Sequence, residues 1–338
     1  MKRVLVTGAN GHLGYTLSRL LVENGYQVRA GVRDSGNAEK TRHLRALGVE
    51  VCETRLLEPE TLAAAAAGME GVFHVAAALR MWAPDPQKEI IEPTVRGAVS
   101  MLEAARAAGV QKVIYTSSTG AVGLDSTPEQ PLTEADWTQH STLPYIRAKT
   151  EAEHAVWDFA ARHRLNVVAI QPGMILGPYF YRETPSTWII ASILRRKFPA
   201  APPFGAGFVD VRDAARAELL AYENPAASGR YLTVNGPFVS MADVMRLVHE
   251  IDPTVRVNTK QLPGWAMQVG VFLDWLGYRL LGRPRELPRA MLDEFVGRYV
   301  CYSHAKASRE LGWEPMDFKT SVRDTMDWLR KNLAQKRL

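Results

Sequence analysis

The stretch VLVTGANGHLGYTLSRLLVENG, residues 4–25, joins a short apolar strand pattern to an amphipathic helix pattern. Gly8, Gly11 and Gly14 lie between the two patterns, at the spacing of a turn whose backbone closely approaches a pyrophosphate. Such a group lies at the N-terminus of the following helix, where backbone N–H groups face it. Glycine spacing alone is weak evidence, but the flanking strand and helix supply the context that this motif requires. The stretch therefore predicts a dinucleotide-binding strand–turn–helix unit.

The alternation of apolar runs and helical patterns continues to about Pro172, with glycines at the helix ends. It predicts an α/β fold of the Rossmann type, a doubly wound parallel sheet with helices on both faces. Residues 173–207 are instead rich in proline, glycine and aromatic residues, 208–236 return to regular structure, and the chain from 237 has a mostly helical pattern. We therefore expect a dinucleotide-binding domain of residues 1–172 and 208–236, and a smaller substrate-binding lobe of 173–207 and 237–338.

The composition is that of a globular protein, with 46% hydrophobic and 23% charged residues among 338 and a net charge of +5. Its basic residues are not concentrated on one element, as they would be in a nucleic-acid-binding protein. Cys52 and Cys301 lie far apart, which favours a reducing cytoplasm over a disulfide framework, and the histidines lack metal-ligand spacing. We expect a cytoplasmic enzyme with no signal peptide, metal ion or nucleic-acid partner, and we leave a homodimer open.

The most apolar window of the chain is residues 262–281. It contains Gln268, Asp274 and Arg279, and charged groups are costly inside a bilayer, so we expect no transmembrane span. We predict an amphipathic helix that closes an apolar pocket, with a helix on a membrane surface as the alternative.

A tyrosine and a lysine lie four residues apart in LPYIRAKTEAEHAVW, residues 143–157. Pro144 favours a helix start here, and on a helix Tyr145 and Lys149 would share one face. The preceding apolar run, KVIYTSS, ends in Ser117 and Ser118, and the carboxyl end of such a strand lies at the binding crevice. Together with the glycine turn, these residues are far more specific than any one of them, and they indicate an active site.

The chain resembles the extended short-chain dehydrogenase/reductase family, and within it the dihydroflavonol-reductase-like branch. The resemblance covers nearly the whole chain and rests on VTGANGHLG, VRAGVRDSGN, GMEGVFHVAA, VIYTSS, YIRAKTEAEHAVWDFA, VVAIQPGMILGP and AYENPAASGRYL. It implies that Ser118, Tyr145 and Lys149 form a catalytic trio. Tyr145 would protonate the carbonyl oxygen that receives the hydride, and Ser118 would hydrogen-bond that oxygen. Lys149 would hold the nicotinamide ribose and lower the pKa of the phenol.

The resemblance also implies cofactor contacts around the glycine turn and after the following strands. These contacts are Gly8, Asn10, Gly11, His12, Leu13, Gly14, Arg33, Leu56, Ala76, Ala77, Lys149, Pro172 and Ile175.

The end of the second strand pattern decides between the two nicotinamide cofactors. NAD-binding folds usually have an acidic residue there for the ribose hydroxyls, but this chain has Val32 followed by Arg33. A guanidinium pairs with a 2′-phosphate, which a carboxylate would repel. We therefore predict NADP(H). The alternative is NAD(H), with Arg33 solvated and Asp34 bound to the ribose.

Three residues depart from patterns common in the family. Thr94 replaces a frequent asparagine, although the reductase branch shares this threonine. Arg55 stands where many relatives have an acidic residue near the adenine, so it could add to 2′-phosphate binding. Gly123 stands where flavonoid reductases carry a polar substrate contact, so we do not expect dihydroflavonol to be the natural substrate.

The substrate is expected to be a mostly apolar ketone or aldehyde, or the corresponding alcohol in the reverse direction. Aromatic and methionine side chains on irregular segments after the cofactor-contacting strands are the pocket candidates. They are Met81, Trp82, Met174, Tyr179, Trp188 and, with less weight, Phe180, Tyr181, Phe204 and Phe208. His74 is expected to be a strand residue near the cofactor and not a base.

Two other functions remain open on the same fold. A sugar-nucleotide epimerase or dehydratase would need cations for a second diphosphate, and Arg182, Arg195, Arg196 and Lys197 could supply them. A non-catalytic dinucleotide sensor is the other alternative, against which the presence of Ser118, Tyr145 and Lys149 counts.

Overall fold

The computed structural model describes residues 2–236 and 238–335 as a parallel sheet with helices on both faces and a smaller lobe beside it. The strands are β1 (Arg3–Thr7), β2 (Gln27–Val32), β3 (Glu50–Glu53), β4 (Gly71–His74), β5 (Lys112–Thr116), β6 (Val167–Pro172), β7 (Met174–Leu176), β8 (Gly205–Ala206), β9 (Phe208–Asp210), β10 (Gly229–Thr233) and β11 (Val239–Ser240). The helices are α1 (His12–Glu23), α2 (Ala38–Ala46), α3 (Pro59–Ala66), α4 (Glu92–Ala107), α5 (Pro144–His163), α6 (Pro185–Leu194), α7 (Val211–Glu223), α8 (Met241–Ile251), α9 (Gly264–Leu281), α10 (Arg289–Phe295), α11 (Ala305–Leu311) and α12 (Phe318–Gln335).

The sheet has seven strands in the order β10-β6-β5-β4-β1-β2-β3, and every pairing is parallel. From β1 the chain first adds β2 and β3 on one side of the sheet. It then returns to the other side of β1 and adds β4, β5 and β6 in the opposite direction. A crevice forms at the carboxyl ends of β1 and β4, where the order reverses, and this is where such sheets bind ligands. The Rossmann-type fold predicted from the sequence is confirmed.

Both faces of the sheet are covered by helices whose apolar sides are buried. On one face α1 and α7 contribute Leu13, Leu17, Leu21, Ala214 and Leu219 to the core. On the other, α3, α4 and α5 pack their buried residues against β4, β5 and β6. Covering both faces explains why the strands are nearly continuous apolar runs instead of alternating ones.

The smaller lobe has its own apolar core, formed mainly by α6, α8, α12 and the strand pair β7–β9. Its helices α6 and α8 begin at side-chain caps. Thr184 and Thr187 form a reciprocal capping box at α6, and Ser240 accepts a hydrogen bond from Asp243 N at α8. The smaller lobe is therefore built from regular helices packed around an apolar core.

A segment near the C-terminus returns to the sheet. Ala307, Leu311 and the fully buried Trp313 lie in the same core as α1 and α7, and Trp313 Nε1 donates to Asp213 O at 2.8 Å. In our proposed division of the chain, residues 305–313 belong with the dinucleotide-binding domain, whereas the sequence pattern placed them in the C-terminal lobe. Residues 237 and 336–338 of that lobe lie outside the described part.

Across residues 2–236 and 238–335, no helix combines the length and the apolarity that crossing a membrane requires.

We predict that Trp313→Ala lowers the free energy of unfolding by about 3–5 kcal/mol, because it empties a fully buried site in the sheet core. The matched control is Trp265→Ala, since Trp265 is 71% exposed on α9 and its loss should change stability by about 0.5 kcal/mol or less. Urea denaturation of the three proteins measures both effects. Similar losses for the two variants would contradict the packing described for residues 305–313.

Candidate active site

The glycine turn after β1 forms a cradle that side chains would fill. Gly8 has a φ of +66°, and a Cβ there would lie 3.0 Å from Ala76 Cα in the loop after β4. A Cβ on Gly14 would lie 2.3 Å from Gly8 O, so this glycine lets α1 pack directly on the turn. The cradle fits the close backbone approach that a dinucleotide pyrophosphate requires.

The N-terminus of α1 faces this cradle without a side-chain cap. Gly11 occupies the cap position, and the first turn of α1 has no acidic residue, so its N–H groups remain available for an anion. The imidazole of His12 is not part of this site, because its Nε2 donates to Pro178 O at 2.8 Å. Burial lowers the pKa of His12 to about 4, so the ring is neutral. Only the backbone of His12 is placed to bind phosphate.

Arg33 follows the carboxyl end of β2, and Arg55 follows that of the neighbouring β3. Val32 is buried at the strand end, and Arg33 is exposed, with no ion pair to any residue within 2–236 or 238–335. Arg55 donates through Nε to Arg33 O at 3.3 Å, but its guanidinium is paired with Glu53 at 3.1 Å and Glu58 at 3.2 Å. Arg33 is therefore the cation available at this end of the crevice.

The other residues implied as cofactor contacts differ in accessibility. Asn10 in the turn and Ala76 and Ala77 after β4 are half-buried, whereas Leu13 is in the core and has only its backbone to offer. Leu56 packs on α4, because a Cβ added to Gly97 of that helix would lie 2.7 Å from the Cβ of Leu56. Pro172 ends β6, and Ile175 lies in β7.

The three residues of the predicted catalytic trio come from two neighbouring elements. Tyr145 lies in the first turn of α5, and Lys149 lies one turn later and donates from Nζ to Thr116 O at 2.8 Å. Ser118 caps the single 3-10 turn after β5, where its Oγ accepts from Gly120 N at 3.1 Å. The Ser118 hydroxyl lies near the Tyr145 phenol and acts to lower its pKa. The structure thus brings all three predicted residues together.

Burial is the main cause of the pKa shifts of Tyr145 and Lys149. It raises the pKa of Tyr145, and the nearby Ser118 hydroxyl opposes that rise only in part. Burial also lowers the pKa of Lys149 to about 8, against the attraction of Glu153 and Glu218. The sequence led us to expect that Lys149 lowers the pKa of the phenol. In the structure the loss of water around Tyr145 is the larger effect, and the phenol stays protonated at neutral pH.

A buried carboxyl group lies beneath Lys149. Glu218 on α7 accepts from Thr116 Oγ1 at 2.6 Å through Oε1, while its Oε2 has no partner among the described residues. Burial raises the pKa of Glu218 to about 8. Thr116 thus joins Lys149, through its carbonyl, to Glu218, through its hydroxyl.

A second buried carboxylate, Glu153 on α5, binds four side chains. It accepts from Ser117 Oγ, from Trp157 Nε1 at 3.2 Å, from Gln171 Nε2 at 3.0 Å and from Arg230 Nε at 2.8 Å. Arg230 also donates to the carbonyls of Glu134 and Asp136 at 2.9 and 2.6 Å. This network fixes α5 against β5, β6 and β10 directly beside Ser118.

The start of α5 is held by the smaller lobe. Glu294 on α10 is buried and accepts from Thr142 N at 2.6 Å and from the hydroxyls of Ser141 and Thr142 at 3.0 and 3.1 Å. These two hydroxyls therefore bind Glu294 and do not cap the helix directly. Glu153, Glu218, Arg230 and Glu294 were all missed from the sequence, because only the fold brings them to the site.

An apolar cluster surrounds the side chain of Tyr145. Of the predicted pocket residues it includes Met81, and Phe204 reaches its edge with a ring centroid 6.1 Å from that of Phe295. Trp82 packs instead against Tyr278 of α9, at 4.9 Å between ring centroids. Sequence reasoning missed the half-buried Leu132, Met291 and Phe295 of the same cluster. Gly123 lies beside it, and a Cβ there would be 2.7 Å from Leu132 Cδ1.

The aromatic segment after β7 is not brought to Tyr145. Tyr179 packs against Arg19 of α1 and Trp328 of α12, with 4.8 Å from the guanidinium to its ring centroid. Phe180 and Tyr181 contact His12 and His43. Phe208 is buried against Phe318, and Met174 and Trp188 pack in the core of the smaller lobe. These residues join the two parts of the chain or pack in the lobe, and their assignment to the substrate pocket stays a prediction.

His74 ends β4 as a buried side chain, hydrogen-bonded through Nδ1 to Thr7 Oγ1 at 2.9 Å. Burial lowers its pKa to about 3, so it is neutral and structural. Thr94 likewise binds its own helix, through Ile90 O at 2.6 Å.

We predict that Glu218 makes the stability of the protein depend on pH. Between 4.5 and about 8 the folded protein binds a proton that the unfolded chain has lost, so the free energy of unfolding falls as pH rises through this window. Glu218→Gln keeps a neutral side chain and should flatten this slope, with the largest gain over wild type near pH 8. Chemical denaturation at pH 5, 6, 7 and 8 measures it.

The control is Glu60→Gln, which removes an exposed carboxylate on α3 and should keep the wild-type slope. An unchanged slope in Glu218→Gln would show that Glu218 is ionised in the folded protein.

Comparisons with known proteins agree with this geometry. Residues 4–235 match the model of the NAD dependent epimerase/dehydratase family. The chain is 33% identical over 271 residues to cinnamoyl-CoA reductase CAD2 of Medicago truncatula, covering 76% of this chain and 83% of that protein. It is 32% identical over 275 residues to dihydroflavonol 4-reductase of Dianthus caryophyllus, covering 76% and 75%.

Among solved structures, yeast methylglyoxal/isovaleraldehyde reductase Gre2, determined in complex with NADPH, superposes with a TM-score of 0.77 at 20% identity, over 99% of this chain and 100% of that one. At this identity the match bears on the fold alone. The family match and the two curated relatives confirm the resemblance to dihydroflavonol-reductase-like proteins, and this chain belongs to the NAD dependent epimerase/dehydratase family.

Proposed function

We propose that the protein is an NADPH-dependent reductase of an apolar ketone or aldehyde, which can also oxidise the corresponding alcohol. The observation that carries the proposal is the meeting of Ser118, just after β5, with Tyr145 and Lys149, one turn apart on α5. This group lies beside the glycine cradle and within an apolar cluster. The two curated relatives are both reductases, which supports the same class of reaction.

The residues of the crevice fit a nicotinamide dinucleotide. The glycine turn and the free N–H groups of α1 would hold the pyrophosphate, and Lys149 would hold the nicotinamide ribose. We propose NADP(H) over NAD(H), because Arg33 is free to pair with a 2′-phosphate and Val32 presents no carboxylate against it. When bound, the cofactor supplies the hydride.

The protein supplies the proton and the orientation. Because burial keeps the Tyr145 phenol protonated, it is ready to donate to a carbonyl oxygen as that oxygen gains negative charge. Ser118 Oγ accepts from Gly120 N, so its own hydroxyl proton remains free to donate to the substrate oxygen or to Tyr145. After the transfer, the Ser118 hydroxyl and the positive charge of Lys149 stabilise the phenolate.

The surroundings of Tyr145 favour an apolar substrate. Met81, Leu132, Met291 and Phe295 are half-buried in its cluster and present apolar side chains. At Gly123, where flavonoid reductases have a polar contact, the space is filled by Leu132. This supports a substrate that is recognised mainly by shape and apolar contact.

The cations proposed for a second diphosphate are largely engaged elsewhere. Arg195 pairs with Glu183, and Lys197 pairs with Glu286 at 3.4 Å. Arg196 donates to Thr254 O at 3.4 Å. These contacts weigh against a sugar-nucleotide epimerase or dehydratase, and the assembled trio weighs against a non-catalytic sensor.

Measuring the catalytic efficiencies for aryl ketones and for nucleotide sugars separates the alternatives. A preference for nucleotide sugars would refute the proposed reductase function.

We predict that Tyr145→Phe lowers the turnover of an aryl ketone with NADPH by roughly two to four decades, because it removes the positioned proton donor. NADPH binding, followed by fluorescence titration, should stay within about twofold. Tyr26→Phe is the matched control, since Tyr26 lies just before the amino end of β2 and hydrogen-bonds Glu223, away from the crevice. Near-normal turnover in Tyr145→Phe would exclude this role for the phenol.

We predict that Arg33→Ala weakens NADPH binding by about ten- to a hundred-fold, the range for losing a hydrogen bond to a charged group. NADH lacks the phosphate and should bind the variant almost as it binds wild type. Arg106→Ala, which removes an exposed cation at the end of α4, controls for net charge. All titrations are made at one salt concentration, because the contact is ionic. Equal losses for both cofactors would instead favour the Asp34–ribose alternative.

A further inference from the structure

Helix α9 exposes large apolar side chains that nothing in the described chain covers. The exposed fractions are 71% for Trp265, 56% for Phe272, 59% for Leu273, 69% for Leu280 and 66% for Leu281. Val271 is the helix's one buried residue. A contiguous apolar surface of this kind usually marks an interaction site.

The opposite side of α9 is attached to the protein. The ring of Tyr278 packs on Trp82. Gly270 lies close to Leu287, because a Cβ added to Gly270 would be 3.3 Å from Leu287 Cδ2. The carboxylate of Asp274 is turned inward, paired with Arg285 Nε at 2.8 Å and accepting from Glu286 N at 2.8 Å. The helix therefore has one anchored face and one apolar face that points to solvent.

The unpaired charged side chains between residues 260 and 283 are all positive. Lys260 precedes the helix, and Arg279 and Arg283 lie at its carboxyl end. All three are exposed, and they form no ion pair with any residue of 2–236 or 238–335. Asp274 is the sole acidic residue in the sequence from 260 to 283, and it is already paired. The apolar face is thus flanked at both ends by free cations.

We propose that α9 docks the protein on the surface of an anionic lipid bilayer, lying flat in the interface. Trp, Phe and Leu side chains would enter the boundary between headgroups and acyl chains, and Lys260, Arg279 and Arg283 would contact the lipid phosphates. The helix does not cross the bilayer, because it lacks the required apolarity. This inference does not depend on the proposed reaction.

A second copy of the chain fits this surface less well. A two-fold axis brings the same patch of both copies together. If the two helices ran antiparallel, Lys260 of one copy would approach Arg279 and Arg283 of the other, and if parallel, each arginine would meet itself. Either arrangement places like charges together, whereas anionic lipid neutralises all three cations.

The test measures co-sedimentation of the full-length protein with vesicles at low ionic strength. One set is an equal mixture of phosphatidylglycerol and phosphatidylcholine, and the other is phosphatidylcholine alone. We expect wild type to bind the anionic vesicles more tightly and to be released by salt. Phe272→Ser/Leu280→Ser should weaken binding by roughly tenfold or more, and Arg279→Gln/Arg283→Gln by about ten- to thirty-fold.

The matched control for charge is Arg106→Gln/Arg162→Gln, which removes two exposed cations on α4 and α5 and should bind like wild type. Thermal melting and NADPH titration confirm that each variant is folded. The proposal is overturned if wild type does not bind anionic vesicles, or if the α9 variants bind as wild type does. It is also overturned if wild type forms a dimer that Phe272→Ser/Leu280→Ser abolishes while vesicle binding is unchanged.

Discussion

The Glu153–Arg230 ion pair is the contact on which the geometry of the site depends. Both side chains are buried, and two charges removed from water are tolerated only when further hydrogen bonds satisfy them. Ser117, Trp157 and Gln171 complete the shell of Glu153, while two loop carbonyls and the ring of Trp137, 3.6 Å away, complete that of Arg230. Because these partners lie on β5, α5, β6, β10 and the loop before α5, breaking the pair would loosen every element around Ser118.

The reactive groups lie above a layer of buried polar contacts. Thr116 is central to it, because its carbonyl accepts from Lys149 and its hydroxyl donates to Glu218. Glu294 from the smaller lobe holds the residues just before Tyr145. The trio is therefore oriented from three sides, by the sheet, by α7 and by the C-terminal lobe. This arrangement explains how a phenol in a partly apolar cluster keeps a defined position near Ser118.

Burial decides the charge states in this layer. It keeps Tyr145 protonated, lowers the pKa of Lys149 and raises that of Glu218, since each charged form loses water. A protonated phenol suits reduction, in which the carbonyl oxygen needs a proton.

The exposed arginines on the surface differ in whether a carboxylate pairs with them. Arg33 at the crevice and Arg279 on α9 are both exposed cations without a carboxylate partner among residues 2–236 and 238–335, whereas Arg55 between Glu53 and Glu58 is neutralised.

The sequence by itself determined the alternation of strands and helices, the glycine cradle, the Tyr145–Lys149 spacing and the cation after β2. These features follow from short-range physics: backbone sterics at glycine, helical periodicity and the polarity of one strand end. The tertiary structure alone decided which aromatic residues surround Tyr145, since Tyr179, Phe180 and Tyr181 pack on α1 and α12 instead. It also decided the partners of Glu153, because Arg230 lies 77 residues away, and the exposure of α9. Apolar side chains and buried charges are defined by what packs against them, and that is fixed only when distant segments meet.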